Sequence, residues 1–146
     1  MSDEVYSHGH HPSVTAAHAA RTVATSAAYV EPLLEGGMDL LDIGCGPGSI
    51  TAGFADLVVP GSVVGVDSSA DVIAEASETH AGLLNLTFRE GNVYDLDAAD
   101  ESFDVVHAHQ VLQHLADPVA ALREMRRVVR PGGLVAVREA DFGAMT

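Results

Sequence analysis

Leu40-Leu41-Asp42-Ile43-Gly44-Cys45-Gly46-Pro47-Gly48-Ser49 decides the reading of this chain of 146 residues. A short apolar run enters three alternating glycines, and a helix-forming stretch follows at once. This is a buried strand, a sharp turn and a helix start; glycine lets the backbone bend and leaves no Cβ between main chain and ligand. A dinucleotide fingerprint, Gly-x-Gly-x-x-Gly, beginning at Gly44 needs its third glycine at position 49. Ser49 stands there, and the third glycine is Gly48, directly after Pro47. So compact a loop suits a ligand without a diphosphate, which needs no helix N-terminus aimed at it.

Outward from this turn the chain alternates. Ser49 to Val58 is predicted helical, Ser62 to Val66 a second strand ending at Asp67, and Ala70 to Gly82 a second helix burying Val72, Ile73, Ala76 and Leu83 or Leu84. Leu86 to Arg89 is a third strand, residues 94–102 an acidic loop, and Phe103 to Ala108 a fourth strand, with His107 in it or at its end. Val119 to Val129 is a third helix with Leu122, Met125 and Val129 as its apolar stripe. Arg123, Arg126, Arg127 and Arg130 are expected to form a solvated face pairing with nearby acids. Pro131-Gly132-Gly133 is a turn, and Leu134 to Val137 a fifth strand. Uniformly apolar strands alternating with helices predict an α/β domain. Its parallel sheet is Rossmann-like and doubly wound, with five strands in the order 3-2-1-4-5 and helices on both faces. Upstream, residues 1–12 are polar and His-rich, and Ser13 to Val30 is an Ala-rich helix, stopped by Pro32 and Gly36-Gly37. The expected division is an arm and helical lid over 1–36 and the Rossmann-like unit over 37–146.

Composition supports a single domain. Apolar residues make up 47% and charged ones 19%, a globular balance. No run of about 18 apolar residues offers a membrane span, and the start Met1-Ser2-Asp3-Glu4 does not read as a secretory signal. Cys45 is the one cysteine, which leaves no internal disulfide and no multi-thiolate zinc site. A cytoplasmic protein is expected. Acidic residues number 21 against 7 basic ones, all arginine, for a net charge of −14. That surface repels nucleic-acid phosphates and anionic lipid, so neither is expected as a partner; the charge reads as a solubility device.

In this fold class ligands sit beyond the carboxyl ends of the strands. Asp67 lies there, 19 residues after Gly48, where a carboxylate accepts from both hydroxyls of a ribose. The same residue also suits an N-cap of the helix from Ala70, a part that Ser68 or Ser69 fills equally well.

Taken together, Leu41 through Gly48, Val66-Asp67-Ser68-Ser69, Gly91-Asn92-Val93, Ser102 through Val106, and Leu122-Arg123-Glu124 through Arg130-Pro131-Gly132-Gly133 resemble a class I S-adenosylmethionine-dependent methyltransferase. The resemblance covers about residues 38–140 and is greatest to the branch of the ubiquinone/menaquinone-biosynthesis enzymes. It implies S-adenosylmethionine as cofactor and methyl transfer to a small-molecule acceptor, with no metal. It also implies that Gly44, Cys45, Gly46 and Gly48 wall the cofactor, and that Asp42 supports the loop or meets the cofactor's amino group. Asp67 would hold the ribose, with Ser68 beside the adenine. Asn92 and Val93 fall where the family often has Asp and a small apolar residue at the adenine edge; the amide accepts through its oxygen or donates to a ring nitrogen. His109 and Gln110 follow the fourth strand, along the methionine moiety.

A base is required only if the acceptor must lose a proton. His109 and His114 are the acceptor-side candidates, with packing beside Asp117-Pro118 as the plain alternative for His114. The cluster His8, His10 and His11, with His18 beyond, lacks a diagnostic fourth metal ligand; as part of a lid, Tyr6, His8 and His11 would line the site, and as a solvated arm they would not. Cys45 reads as a small packing residue rather than a nucleophile. Glu139 and Asp141 face the acceptor or are surface acids, and Arg21 is a candidate for the cofactor carboxylate. The family's sheet usually has two further strands after the fifth. Their absence suggests a C-terminally truncated chain, or one completed by another chain or a homodimer partner. Three readings therefore stand: a methyltransferase, a cofactor-binding fragment or non-catalytic subunit needing a partner, and a nicotinamide oxidoreductase, against which Ser49 speaks.

Overall fold

The computed structural model describes residues 23–109 and 111–138. Five strands form one sheet: β1 (Leu40–Ile43), β2 (Val63–Asp67), β3 (Leu86–Glu90), β4 (Phe103–His109) and β5 (Val129–Arg138), in the order β3-β2-β1-β4-β5. Every pairing is parallel, as apolar runs linked by crossovers require. The helices are α1 (Val23–Ser26), α2 (Ser49–Val58), α3 (Ala70–Thr79) and α4 (Pro118–Val128), with short 3-10 turns at Glu31–Leu33 and Leu112–His114.

Alternation along the strands splits the core in two. Leu40, Val63 and Val105 pack with Phe54, Ala55 and Val58 of α2 and with Val23, Ala27 and Val30. Leu41, Ile43, Val66, Val106 and Ala108 pack with Ala121, Met125 and Val128 of α4 and with Leu96 from the acidic loop. Val23 comes so close to α2 that a Cβ on Gly53 would fall 2.6 Å from its Cγ2.

Local chemistry sets the ends of the helices. Ser69 Oγ accepts from the Val72 N–H at 3.3 Å to cap α3, and Asp117 Oδ1 accepts from the Ala120 N–H at 3.1 Å to cap α4, with Pro118 next. α3 stops at Thr79, three residues before Gly82: the His80 N–H makes the last helical bond, to the Ala76 carbonyl, His80 itself leaves the helical conformation (φ −111°, ψ 23°), and the Leu83 N–H then closes a turn on the His80 carbonyl. Of the two leucines proposed for its apolar side, Leu83 packs in the core and Leu84 is 99% exposed. α1 ends at Ser26 rather than Val30; residues 27–30 form a turn ahead of Pro32, which lacks the N–H a continuing helix needs. The buried stripe of α4 is Ala121, Met125 and Val128, not Leu122, Met125 and Val129, since Leu122 lies one step around the helix toward solvent.

The expected pairing with nearby acids is found at Arg127 and Arg130, and there it is more than a solvated face. Arg123 and Arg126 are exposed, but Arg127 and Arg130 are structural pins. The five donors of Arg127 bond both Glu124 carboxylate oxygens, the carbonyls of Leu96 and Ala98, and Asp100 Oδ1, all between 2.8 and 3.0 Å. Glu124 Oε2 accepts from the Leu96 N–H at 2.6 Å. This pair fastens the acidic loop to α4 without a helix of its own. Arg130 donates to Asp104 Oδ2 at 2.8 Å and Asp39 Oδ2 at 3.2 Å. It reaches them because β5 starts at Val129, earlier than expected, and bulges at residues 130–133 between the pairs Phe103–Val129 and Val105–Leu134. Pro131 has no N–H for a ladder and Gly132 is left-handed (φ +81°), so the predicted turn sits inside the strand as that bulge.

Candidate functional site

The bend between β1 and α2 is built on positive φ: +69° at Gly44, +54° at Gly46 and +90° at Gly48. The Gly44 and Cys45 N–H groups both donate to the Val66 carbonyl, at 2.7 and 3.0 Å, and the Gly48 N–H donates to the Cys45 carbonyl at 3.1 Å. Packing excludes side chains as firmly as conformation does. A Cβ on Gly44 would fall 2.5 Å from Val111 Cγ2, and one on Gly48 would fall 2.6 Å from Phe88 Cζ. Phe88 also abuts Gly65, whose Cβ would fall 2.7 Å from its Cδ1. His80, at the end of α3, completes the buttress: its Nε2–H donates to the Pro47 carbonyl at 3.2 Å, and its ring centroid is 5.9 Å from that of Phe88.

Two buried carboxylates flank the bend. Asp67, 4% exposed at the end of β2, accepts from the Gly46 N–H through Oδ2 and from the Ser69 N–H through Oδ1, both at 3.1 Å. The cap of α3 belongs to Ser69. Asp42, 3% exposed in β1, accepts from the Thr51 hydroxyl through Oδ2 at 2.7 Å and from His107 Nδ1–H through Oδ1 at 2.8 Å. Burial pushes the Cys45 thiol well above its ordinary range, and the Asp42 and Asp67 charges push it further. Cys45 is therefore held as a thiol, without the thiolate character a nucleophile needs.

The other expected residues within the described chain stand as follows. Ser68 follows Asp67 and is exposed. Asn92 follows β3; its Oδ1 accepts from the Tyr94 N–H at 2.9 Å, and its backbone bridges Asp95. Val93 is half-buried against the core on the α4 side. His109 ends β4, in register with Arg138 of β5. His114 stands further out, exposed at the end of the 3-10 turn, with its Nε2 3.4 Å from the Gln113 amide. Tyr94 Oη accepts from the Asp117 N–H at 3.1 Å, joining the Asn92 turn to the start of α4. Tyr6, His8, His10, His11, His18, Arg21, Gln110, Glu139 and Asp141 lie outside the described residues. Among those described, no group of three or more His, Cys, Asp or Glu side chains is placed to hold a metal, and no helix is long and apolar enough to cross a membrane.

Sequence reasoning missed Thr51, Phe88, His80 and Val111, and it missed the bond from His107 to Asp42. Cross-strand register could have found two of these, because Asp42 pairs with Gly65 on one side and His107 on the other, and Gly65 with Phe88. Nothing in the local sequence marks His80 or Val111.

Comparison with known proteins agrees with this geometry. The family model described as a methyltransferase domain matches residues 41–137. An uncharacterized methyltransferase of Schizosaccharomyces pombe is 41% identical over 145 residues, covering 94% of this chain and 52% of that protein. The ubiquinone/menaquinone biosynthesis C-methyltransferase of Bdellovibrio bacteriovorus is 38% identical, covering 70% of this chain and 44% of its own length. Among solved structures, phosphoethanolamine N-methyltransferase 1 of Haemonchus contortus, in complex with phosphoethanolamine and S-adenosylhomocysteine, superposes with a TM-score of 0.68 at 25% identity, over 75% of this chain and 24% of that one. The chain spans about half the length of the curated relatives it matches. With its glycine bend, its strand-end acid and its 3-2-1-4-5 sheet, the chain belongs to the S-adenosylmethionine-dependent methyltransferase family.

Proposed function

We propose that this chain binds S-adenosylmethionine at the rim formed by the ends of β1, β2, β3 and β4 and transfers its methyl group to a small-molecule acceptor. One observation carries the reading: the buried Asp67 carboxylate is bonded to the Gly46 N–H, so the acid suited to a ribose and the bend suited to a nucleoside form one wall. The donor set fits this cofactor. Carboxylates at Asp42 and Asp67 flank the bend, which favours a cationic sulfonium and ammonium and disfavours a diphosphate. The described arginines with bonding partners serve other places: Arg89 the Asp97 carbonyl, Arg127 the acidic loop, Arg130 the far end of the sheet and Arg138 the Ser26 carbonyl.

Bound there, S-adenosylmethionine supplies a methyl group already activated on sulfur. The chain's own residues then align and shield it, since in-line displacement needs orientation and exclusion of water more than acid–base help. Asp67, oriented by two backbone donors, accepts from the ribose hydroxyls. The bare backbone of Gly44, Gly46 and Gly48 lets the ligand approach closely, and Ser68 and Val93 border the adenine. Asn92, its oxygen engaged by Tyr94, offers its amide N–H to an adenine ring nitrogen. His109, at the end of β4, borders the methionine portion. Where the acceptor has a proton to lose, His109 and His114 are the groups on the acceptor side that can take it. The net charge of −14 argues for a small acceptor over nucleic acid.

Calorimetric titration with S-adenosylhomocysteine tests the reading. Saturable heat, displaced by S-adenosylmethionine and untouched by NADH, is expected. A folded sample giving no heat at about millimolar ligand, near the weak limit of specific binding, rules it out.

A further inference from the structure

His107 is the most deeply placed titratable side chain of β4, at 0% exposed, and methyl transfer as proposed above gives it no part. Its Nδ1–H is spent on Asp42. Its Nε2 is equally buried and has no hydrogen-bond partner among the described residues; its ring sits edge-on to Phe54 at 4.8 Å and tilted to Tyr29 at 6.3 Å. A buried polar atom left unbonded lowers stability, so an apolar residue would serve the core better there. What the imidazole supplies instead is one donor aimed across the sheet. Asp42 is held from two directions, by His107 on β4 and by Thr51 in the first turn of α2. Thr51 and Asp42 bracket the bend, and α2 has no side-chain cap of its own, since Gly48 occupies the N-cap.

We infer that His107 is a positioning residue for the cofactor: its Nδ1–H fixes the Asp42 carboxylate, through which Thr51 and the start of α2 are drawn to β1 and the 44–48 bend keeps its ligand-ready shape. The inference rests on the cofactor reading above. A carboxylate missing one of its two donors can turn from Thr51, and the bend loosens while the sheet stays paired. Asn is the conservative replacement, because its Nδ2 stands where His Nδ1 does and donates to the same oxygen. Phe keeps the bulk and the ring contacts but has no donor.

The test is the affinity of the full chain for S-adenosylhomocysteine in wild type, H107N and H107F, each shown to unfold cooperatively. Loss of a hydrogen bond to a charged group predicts that H107F binds about tenfold more weakly or worse. H107N should stay within about threefold of wild type, a rescue that volume alone does not produce. H107F binding as wild type does, or H107N falling as far as H107F, overturns the inference. Wild type failing to bind overturns the cofactor reading instead. Nitrogen-15 NMR of the imidazole provides a readout that does not depend on the variants folding: Nδ1 carries the proton, and a ring protonated on Nε2 alone overturns the assignment.

Discussion

Replacing Gly48 by Ala separates two costs that the bend imposes, because the fold contains its own controls. At φ +90° an alanine pays about 1–2 kcal/mol for the left-handed backbone. Its Cβ would also fall 2.6 and 2.8 Å from Phe88 and 3.2 Å from His80. The same edge of Phe88 is already seated against Gly65 through Cδ1 and Cε1, so the ring cannot yield to a Cβ without leaving that seat, and overpacking of this kind adds about 1–3 kcal/mol. The sum is about 2–5 kcal/mol, which for a domain of this size lowers Tm by about 6–15 °C. Gly132 is left-handed too, at φ +81°, but nothing lies within 4 Å of its Cβ position; G132A should lose only the backbone part, about 3–6 °C. Gly82 has open space and lies outside the left-handed region, so G82A should hold or gain up to about 1 kcal/mol. Thermal melts of the three variants, read by circular dichroism, give the ordering. G48A melting with G132A would refute the crowding by Phe88, and both melting with wild type would refute the left-handed backbone itself.

Asp67→Asn keeps the shape of the site and removes the charge; affinity for S-adenosylhomocysteine should fall about 10–100-fold, the worth of hydrogen bonds to an ionised acceptor, and an unchanged Kd would remove Asp67 from the site. Acid sensitivity follows from two carboxyls held below the usual range: Glu124 by the Arg127 guanidinium and then the Leu96 N–H, and Asp104 by the Asp39 N–H and then Arg130. Because the folded state binds these protons less readily than the unfolded chain, their stabilisation is complete above about pH 4.5 and is lost as pH falls through the lower folded values. E124Q should accordingly show a shallower fall in Tm between about pH 5 and 3 than wild type, and an identical fall would refute the pairing. Arg127→Met should free the acidic loop alone: exchange at the Leu96 and Glu101 amides should quicken about tenfold or more, with the β1 and β4 amides unchanged.

Much of this was legible because it is local. The strand, the glycine bend and the helix after it are consecutive, and the missing glycine at position 49 already separated the candidate ligands. Asp67 was readable because a parallel strand puts its last residue on the ligand rim. What escaped depends on neighbours brought in by the sheet. Thr51, His107 and Phe88 acquire their parts only when β4 and β2 flank β1 and Gly65 leaves room for a ring. Arg127 and Arg130 read as solvated because helical periodicity says nothing about a loop folded back over the helix or a bulge in the next strand. Leu122 and Val129 shared the spacing of the buried stripe but sit one step from it, a distinction that hydrophobicity alone does not make.

The cluster around Arg130 bears on how the strands keep their places. Asp39, Ser62, Asp104 and Arg130 interlock where β1, β2, β4 and β5 begin, at the opposite end of the sheet from the glycine bend. One end of the strands is thus clasped by side chains while the other carries the glycine bend. The register of β1 against β4 and β5 is set by side chains as well as by the backbone ladder, at the place where the bulge of β5 interrupts that ladder.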